Sequence, residues 1–268
     1  MCFVFFNCFL RYPGWMFRDM QKIRIKMIPQ YTIIDKKTIC GLCEVFGNSY
    51  GDKLNKEYQK HGFVFIGAKN TSSGLGIAYD PQVYKIISNK FEPYFDAKLP
   101  DNLVTKGIMH CVIECIDCGQ RNTIIVTHLQ SAYEEDLPSL RKLAKFRKVQ
   151  KNQLLQLAHY IQKNKIDRYI LMGDFNINKD LNNNLFRLFV KLFNYEDSIN
   201  LLPSTATFPE ENTIIDYILI NNGSKHKKTI VLNTRAHKII ANCHAFDQMR
   251  NYTHKQRFIS DHYAVAAI

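Results

Sequence analysis

The sequence predicts a single α/β domain over residues 1–268. Short runs of β-branched and aromatic residues recur along the whole chain. Two longer segments with helical spacing interrupt them, and no Pro/Gly/Ser-rich linker, repeat or low-complexity block divides the chain. At 46% apolar and 12% aromatic residues, there is ample side-chain volume for a large core and no case for disorder.

Taken in order, Met1 to Leu10 reads as a buried strand containing Asn7, an unusual residue for such a run. Residues 11–30 read as basic and irregular, with Pro13-Gly14 as a turn. Thr38 to Phe46 is a second buried strand with one acid, Glu44, which is unfavourable among apolar neighbours unless paired or bound to metal. A lysine salt bridge at the strand end is the ordinary alternative. Residues 52–61 suggest a short helix, and 63–66 and 76–79 two strands separated by a polar loop. Ile108–Cys115 and Thr123–His128 form a hairpin that delivers His128 at a strand end. Leu140, Leu143, Phe146, Leu154, Leu157 and Ile161 mark a helix over about 139–163, whose outer face is basic from Arg141 to Lys151.

The apolar run Tyr169–Met172 then ends at Gly173-Asp174-Phe175-Asn176. Alternation along a strand puts Asp174 and Asn176 on one side, with Gly173 expected to let the backbone turn. A carboxylate beside an amide suits a hydrated divalent metal or a phosphate, although an Asx-type turn is the bland reading of the same tetrapeptide. A second amphipathic helix follows near 182–193, a turn at 205–209, and a strand at 214–220 with the buried acid Asp216. Residues 221–260 are basic and weakly patterned, and the chain closes with Asp261 and His262 before a last apolar strand.

The formal charge of +12 draws polyanions: nucleic acid, an anionic membrane or a phosphorylated substrate. Abundant Lys, Asn, Ile, Phe and Tyr are also what A/T-rich coding sequence produces, so charge alone does not name the partner. The eight cysteines lie largely within apolar runs, as reduced thiols do. Cys40-x2-Cys43 and Cys115-x2-Cys118 raise zinc, but more than seventy residues separate the pairs, and each lies in or beside a strand, so zinc is not favoured. No signal peptide and no apolar run of membrane-spanning length is seen. The expected location is therefore intracellular, cytoplasmic or peripheral to a membrane; no oligomer is implied.

Asn7, Glu44, His128, Asp174, Asn176, Asp216, Asp261 and His262 are all metal- or proton-handling groups inside or at the end of apolar strands. One such residue is ordinarily a satisfied core polar group. Eight in one alternating chain point to strand ends converging on a pocket.

Cys43-Glu44-Val45-Phe46, Gly173-Asp174-Phe175-Asn176, Ile215-Asp216-Tyr217-Ile218 and Ser260-Asp261-His262 resemble, in order, the signature blocks of the endonuclease/exonuclease/phosphatase (deoxyribonuclease-I-like) superfamily. Thr105-Lys106-Gly107, Thr127-His128-Leu129-Gln130-Ser131, Ser73-Gly74-Leu75-Gly76-Ile77 and Phe6-Asn7-Cys8 with Arg11-x-Pro13-Gly14 are more similar to its neutral sphingomyelinases. Two departures stand out. Cys43 replaces the usual Gln before the metal carboxylate, and the aromatic membrane-inserting hairpin of the secreted bacterial enzymes is not found.

The resemblance implies a four-layer α/β sandwich, two packed mixed β-sheets flanked by helices. It also implies a Mg²⁺-dependent phosphodiesterase, with Mn²⁺ as a substitute. In that frame Glu44, Asn7 and Asp261 belong to the metal site. Asp174 orients the attacking water, Asn176 holds phosphate, and His262 is the base with its tautomer set by Asp216. His128 binds the phosphate or the metal near the leaving-group side, and Lys106 binds substrate. Two enzymatic readings result: hydrolysis of sphingomyelin or a related phospholipid at a membrane surface, or cleavage of DNA or RNA. A catalytically inactive binding module of the same fold is the third.

Overall fold

The computed structural model describes residues 1–11, 21–68, 72–132, 140–178, 183–193, 206–208, 213–221, 229–232, 260 and 262–267. Two sheets stack face to face. The first has six strands: β1 (Cys2–Leu10), β2 (Thr38–Val45), β3 (Val64–Gly67), β4 (Gly76–Tyr79), β10 (Thr229–Leu232) and β11 (Ala264–Ala267), in the order β10-β11-β1-β2-β4-β3. The second has five: β5 (Tyr84–Pro93), β6 (Gly107–Cys115), β7 (Arg121–His128), β8 (Tyr169–Asp174) and β9 (Asp216–Asn221), ordered as in sequence. Both are mixed: β1 with β2 and β7 with β8 are parallel, and the other pairs are antiparallel.

Three apolar clusters define four layers. Phe3, Phe5, Ile39 and Ile77 of the first sheet meet Met109, Val126, Met172 and Ile218 of the second. On its other face the first sheet packs Val4, Phe6 and Leu42 against Ile25 and Ile28 of α1 (Gln21–Thr32) and Leu54 and Tyr58 of α2 (Asn48–Gln59). The second sheet packs Ile125, Leu171 and Leu219 against Leu154 and Leu157 of α3 (Leu140–Lys163) and Phe189 of α4 (Asn183–Leu192). Strands buried on both faces need continuous apolar runs. That is why β1, β7 and β8 read so clearly in the sequence.

Three expectations are corrected. Residues 21–32 form a helix where the sequence reading left the segment irregular. The alternation Lys22-Ile23-Arg24-Ile25-Lys26 hides helical spacing, and Pro29 lies in the last turn, where tertiary packing of Ile25 and Ile28 overrides propensity. Strand β5 was not anticipated. It is an edge strand in which only Tyr84 is buried, and polar residues such as Lys85, Ser88, Asn89 and Lys90 dilute its pattern. Gly173 does not turn the chain; it lies within β8, where a side chain would meet the Thr127 carbonyl oxygen at 2.7 Å. Glycine is needed there for close approach of β7 and β8, not for bending.

The described cysteines are free thiols. Cys40 faces the helical layer and Cys43 the other sheet, so the two cannot share one zinc ion. Burial drives both thiols up, Cys40 to about 12.

Candidate active site

The strand registers put one row of residues at the same end of the second sheet: Pro93, Gly107, His128, Asp174 and Asp216 lie on or next to one another across five strands. Period-two alternation then decides which way they face. Ile124 and Val126 precede His128, Ile170 and Met172 precede Asp174, and Ile220 and Ile218 flank Asp216 along β9. These apolar residues all point into the inter-sheet core. Their polar successors therefore open at its edge. From the opposite sheet, Phe3 and Phe5 lead in the same way to Asn7.

Glu44 breaks this alternation. Cys43 faces the inter-sheet core, yet Val45 joins the outer cluster with Leu42. The reversal occurs at Glu44, whose φ is 55°. A left-handed non-glycine residue costs about 1–2 kcal/mol; here it swings the carboxylate toward Asn7. Asn176, with φ of 51°, is the second left-handed residue of the site. Asparagine tolerates that conformation better.

The Asn7 side-chain nitrogen lies 3.1 Å from both Glu44 Oε1 and Asp174 Oδ2, and 3.4 Å from His262 Nε2. The Phe9 amide donates to Asn7 Oδ1 at 3.1 Å, so it is the NH2 group that faces the carboxylates. Asn7 acts here as a donor; metal ligation through its oxygen requires the amide to rotate. His262 Nδ1 donates to Asp216 Oδ2 at 2.8 Å, which leaves Nε2 facing Asn7 and, at 3.7 Å, Asp174 Oδ2.

The other imidazole, His128, has Nε2 at 3.6 Å from Asp174 Oδ2 and 3.9 Å from Glu44 Oε1. Burial, then Lys106 and His262, lowers its pKa well below the usual range, so it is neutral. The Lys106 ammonium donates to His128 Nε2 at 3.0 Å, to the Leu129 carbonyl at 2.6 Å, and pairs with Asp101 at 3.2 Å. Three protons meet three acceptors, and Lys106 is buried. It was expected to meet substrate; in this state it is engaged internally and positions His128.

Asn176 donates from its backbone to Asp174 Oδ1 at 3.0 Å and from its side chain to the Leu129 carbonyl at 3.1 Å. The Asx turn is thus realised, and the Asn176 side-chain amide is spent on a backbone carbonyl. Glu44, His128, Asp174, Asp216, His262 and Asn7 converge; Asn176 and Lys106 flank them. Asp261 lies outside the described residues.

Burial first, then repulsion from Asp216 and Glu44, raises the Asp174 pKa to about 7 despite opposing pull from His262 and Lys106. Crowded carboxylates of this kind call for a cation. Glu44, His128 and Asp174 offer ligand atoms within 4.8 Å of one another, as do Asp174, Asp216 and His262. The two carboxylates fit a hard divalent ion, and the neutral imidazole can join them only where Nε2 is released by Lys106. His128 Nδ1 and Asp216 Oδ1 are among the described buried polar atoms without a hydrogen-bond partner.

Several bracing residues escaped the sequence reading. The Thr207 hydroxyl accepts from the amides of Ile215 and Asp216. Ser260 donates to the Asn7 carbonyl at 2.6 Å and accepts from the His262 amide, tying the two together. Asp101 accepts from Lys106, Gln130 and the Ser131 amide. Gln150 reaches from α3 to the carbonyls of Gln130 and Asn176. Single Thr, Ser, Asp and Gln residues carry no signal in one sequence; only Asp101, five residues before Lys106, sits close enough to a motif to have been suspected.

Carboxylates, an amide and two imidazoles gathered at the open end of a two-sheet α/β sandwich define a metal-dependent phosphoric diester hydrolase. Residues 26–262 match the Endonuclease/Exonuclease/phosphatase family, and the chain belongs to it. No curated protein matches the sequence significantly. Among solved structures, the fold is similar to that of a Staphylococcus aureus beta toxin double mutant with bound magnesium ions, at 19% identity, TM-score 0.75, covering 99% of this chain and 98% of that one. It is also similar to Sphingomyelinase C from Streptomyces griseocarneus, at 16% identity, TM-score 0.68, covering 100% and 98%. A humanized D. rerio TDP2 shares the fold at 13% identity, TM-score 0.63, covering 100% and 97%.

Proposed function

We propose that the protein hydrolyses sphingomyelin or a related phospholipid to ceramide and phosphocholine, using Mg²⁺ or Mn²⁺. The observation that carries this reading is the Thr127–Ser131 block, with neutral His128 held by Lys106 at 3.0 Å and lying 3.6 Å from Asp174 and 3.9 Å from Glu44. The fold likeness to a sphingomyelinase C agrees with it.

Glu44 and Asp174 would hold the ion, with Asn7 beside them; Asp261 is assigned to the metal by the family resemblance alone. When bound, such an ion neutralises the phosphodiester and stabilises the departing oxygen. His262 Nε2 takes the proton of the attacking water, and Asp216 fixes its tautomer and stabilises the imidazolium that forms. Asp174 aligns the water. His128 and the Asn176 amide border the phosphate, and the neutral imidazole presents no extra charge to the site. Among the described residues no serine or cysteine nucleophile stands beside a base: Cys43 is close by, but burial and the neighbouring carboxylates raise its pKa well above the usual range.

The net charge of +12 favours a second reading, a nuclease with the same chemistry. Sphingomyelin vesicles and supercoiled plasmid assayed side by side, with Mg²⁺ and with chelator, decide between them. Plasmid nicking without choline-phosphate release would sink the lipid reading.

A further inference from the structure

The loop joining β5 to β6, residues 94–106, lies at the same end as the catalytic row, because Pro93 pairs with Gly107 next to His128. It carries three bulky apolar side chains turned to solvent: Phe95 is 86% exposed, Leu99 62% and Leu103 75%. Large apolar residues grouped on one short loop mark an interaction surface more often than chance exposure does.

This loop is held by α3. The Phe95 amide donates to Gln156 Oε1 at 3.0 Å, Gln153 donates to the Asp96 carbonyl at 2.7 Å, and the Lys98 amide donates to Gln130 Oε1 at 2.7 Å. Asp101 binds it to Lys106 and Ser131. The backbone bearing the apolar groups is therefore ordered before any partner arrives, which lowers the entropic cost of docking.

Charge identifies the partner. Gln150 of α3 touches the Gln130 and Asn176 carbonyls, so the ten residues before it run past the catalytic row by about 15 Å. That overhang exposes Leu140, Arg141, Lys142, Lys145 and Lys148. Even with Glu134, Glu135 and Asp136 counted, residues 133–151 hold six basic residues against three acidic. Apolar side chains on one loop, and basic ones on the first turns of the helix that braces it, match a bilayer that presents anionic headgroups over an apolar interior.

We infer that Phe95, Leu99 and Leu103 form a wedge that enters the surface of an anionic phospholipid bilayer, with the first turns of α3 as its electrostatic footing. This rests on the lipid reading above, and assigns to the β5–β6 loop the membrane contact that the sequence did not locate. No aromatic hairpin is required for it.

The test is vesicle co-sedimentation in chelator, so that binding is read without hydrolysis. Phosphatidylcholine/sphingomyelin vesicles are used with and without phosphatidylserine. The triple variant Phe95→Ser/Leu99→Ser/Leu103→Ser should lose about tenfold or more in partitioning, and Phe95→Ser alone a smaller part. Lys142→Ser/Lys145→Ser should weaken binding only where phosphatidylserine is present. Thermal unfolding and turnover of soluble bis(p-nitrophenyl) phosphate should stay at wild-type values in all three. Wild-type partitioning by the triple variant overturns the inference, as does a wild type that ignores vesicles. A variant that changes only self-association, read by light scattering, overturns it in favour of a second copy as occupant. Loop-dependent binding without sphingomyelin hydrolysis would instead leave the surface standing and remove the substrate reading.

Discussion

The two ends of the second sheet carry the same kinds of groups and treat them oppositely. At the β6–β7 turn, Glu114 sits between Lys85 and Arg121, each at 2.6 Å, and its pKa is lowered by those hydrogen bonds. Cys118 is exposed, and a hydrogen bond from it lowers Cys115. At the catalytic end, Asp174 and His128 are buried, like charges crowd together, and Asp174 is pushed up while His128 is pushed down. Water and mobile partners satisfy the first set. The second is held by strand register and keeps its electrostatic cost, as sites that do chemistry do.

The largest expected effect is at the crowded end. Asp174→Asn and Glu44→Gln should each lower turnover of a soluble phosphodiester by about a thousandfold or more, because each removes a metal-facing carboxylate. A variant within tenfold of wild type at saturating Mg²⁺ would remove that residue from the site.

Next comes pH. The folded-state pKa of Asp174, about 7, lies above its ordinary value near 4. In the metal-free protein the folded state therefore binds this proton more tightly than the unfolded chain. Its contribution to stability is full below pH 4 and is lost as pH rises through 7. Denaturant melts in chelator should show stability falling over that window, and Asp174→Asn should lack that component. Added Mg²⁺ should stabilise more at pH 8 than at pH 5, since ion and proton compete for the carboxylate. A melt series in which Asp174→Asn keeps the full pH slope would contradict the crowding seen around Asp174.

Lys106→Met is expected to be intermediate. It removes one of the donors to Asp101 and to the Leu129 carbonyl and the charge that helps hold His128 neutral. Activity should drop about tenfold to a hundredfold, and the His128 pKa, followed by imidazole NMR, should move upward. A positioning role is rejected if activity falls while the His128 titration does not move.

The smallest effect belongs to the far end. Glu114→Gln should shift Tm by no more than about 2 °C and leave activity alone, since ion pairs with exposed lysine and arginine contribute little. A larger loss would mean that this end is not the solvated counterpart it is taken to be.

Strand-end chemistry was legible in the sequence where a polar residue closed an apolar run, as at His128 and Asp174, or opened one, as at Asp216. Period-two alternation is local, and the apolar residues two and four positions along each strand already specify the face it shares. The site residues at Glu44 and Lys106 were legible by type but not by action. Glu44 reaches Asn7 only because its backbone reverses the alternation of β2, and no side-chain pattern announces a left-handed residue. Lys106 read as a substrate contact, because a lysine beside a glycine says nothing about three acceptors drawn from loops 101 and 128–129.

What the sequence by itself determined is the set of buried strands, the two long amphipathic helices and most of the chemical groups, since hydrophobic burial and periodicity act over a few residues. What only the tertiary structure decided is which groups meet. Parallel pairing places His128 beside Asp174, antiparallel pairing places Asp216 on its other side, and sheet stacking brings Asn7 and Glu44 over both. These contacts span 167 residues of chain between Asn7 and Asp174 and 255 between Asn7 and His262. Their geometry is set by packing of two sheets against each other, a property of the whole core rather than of any segment in it.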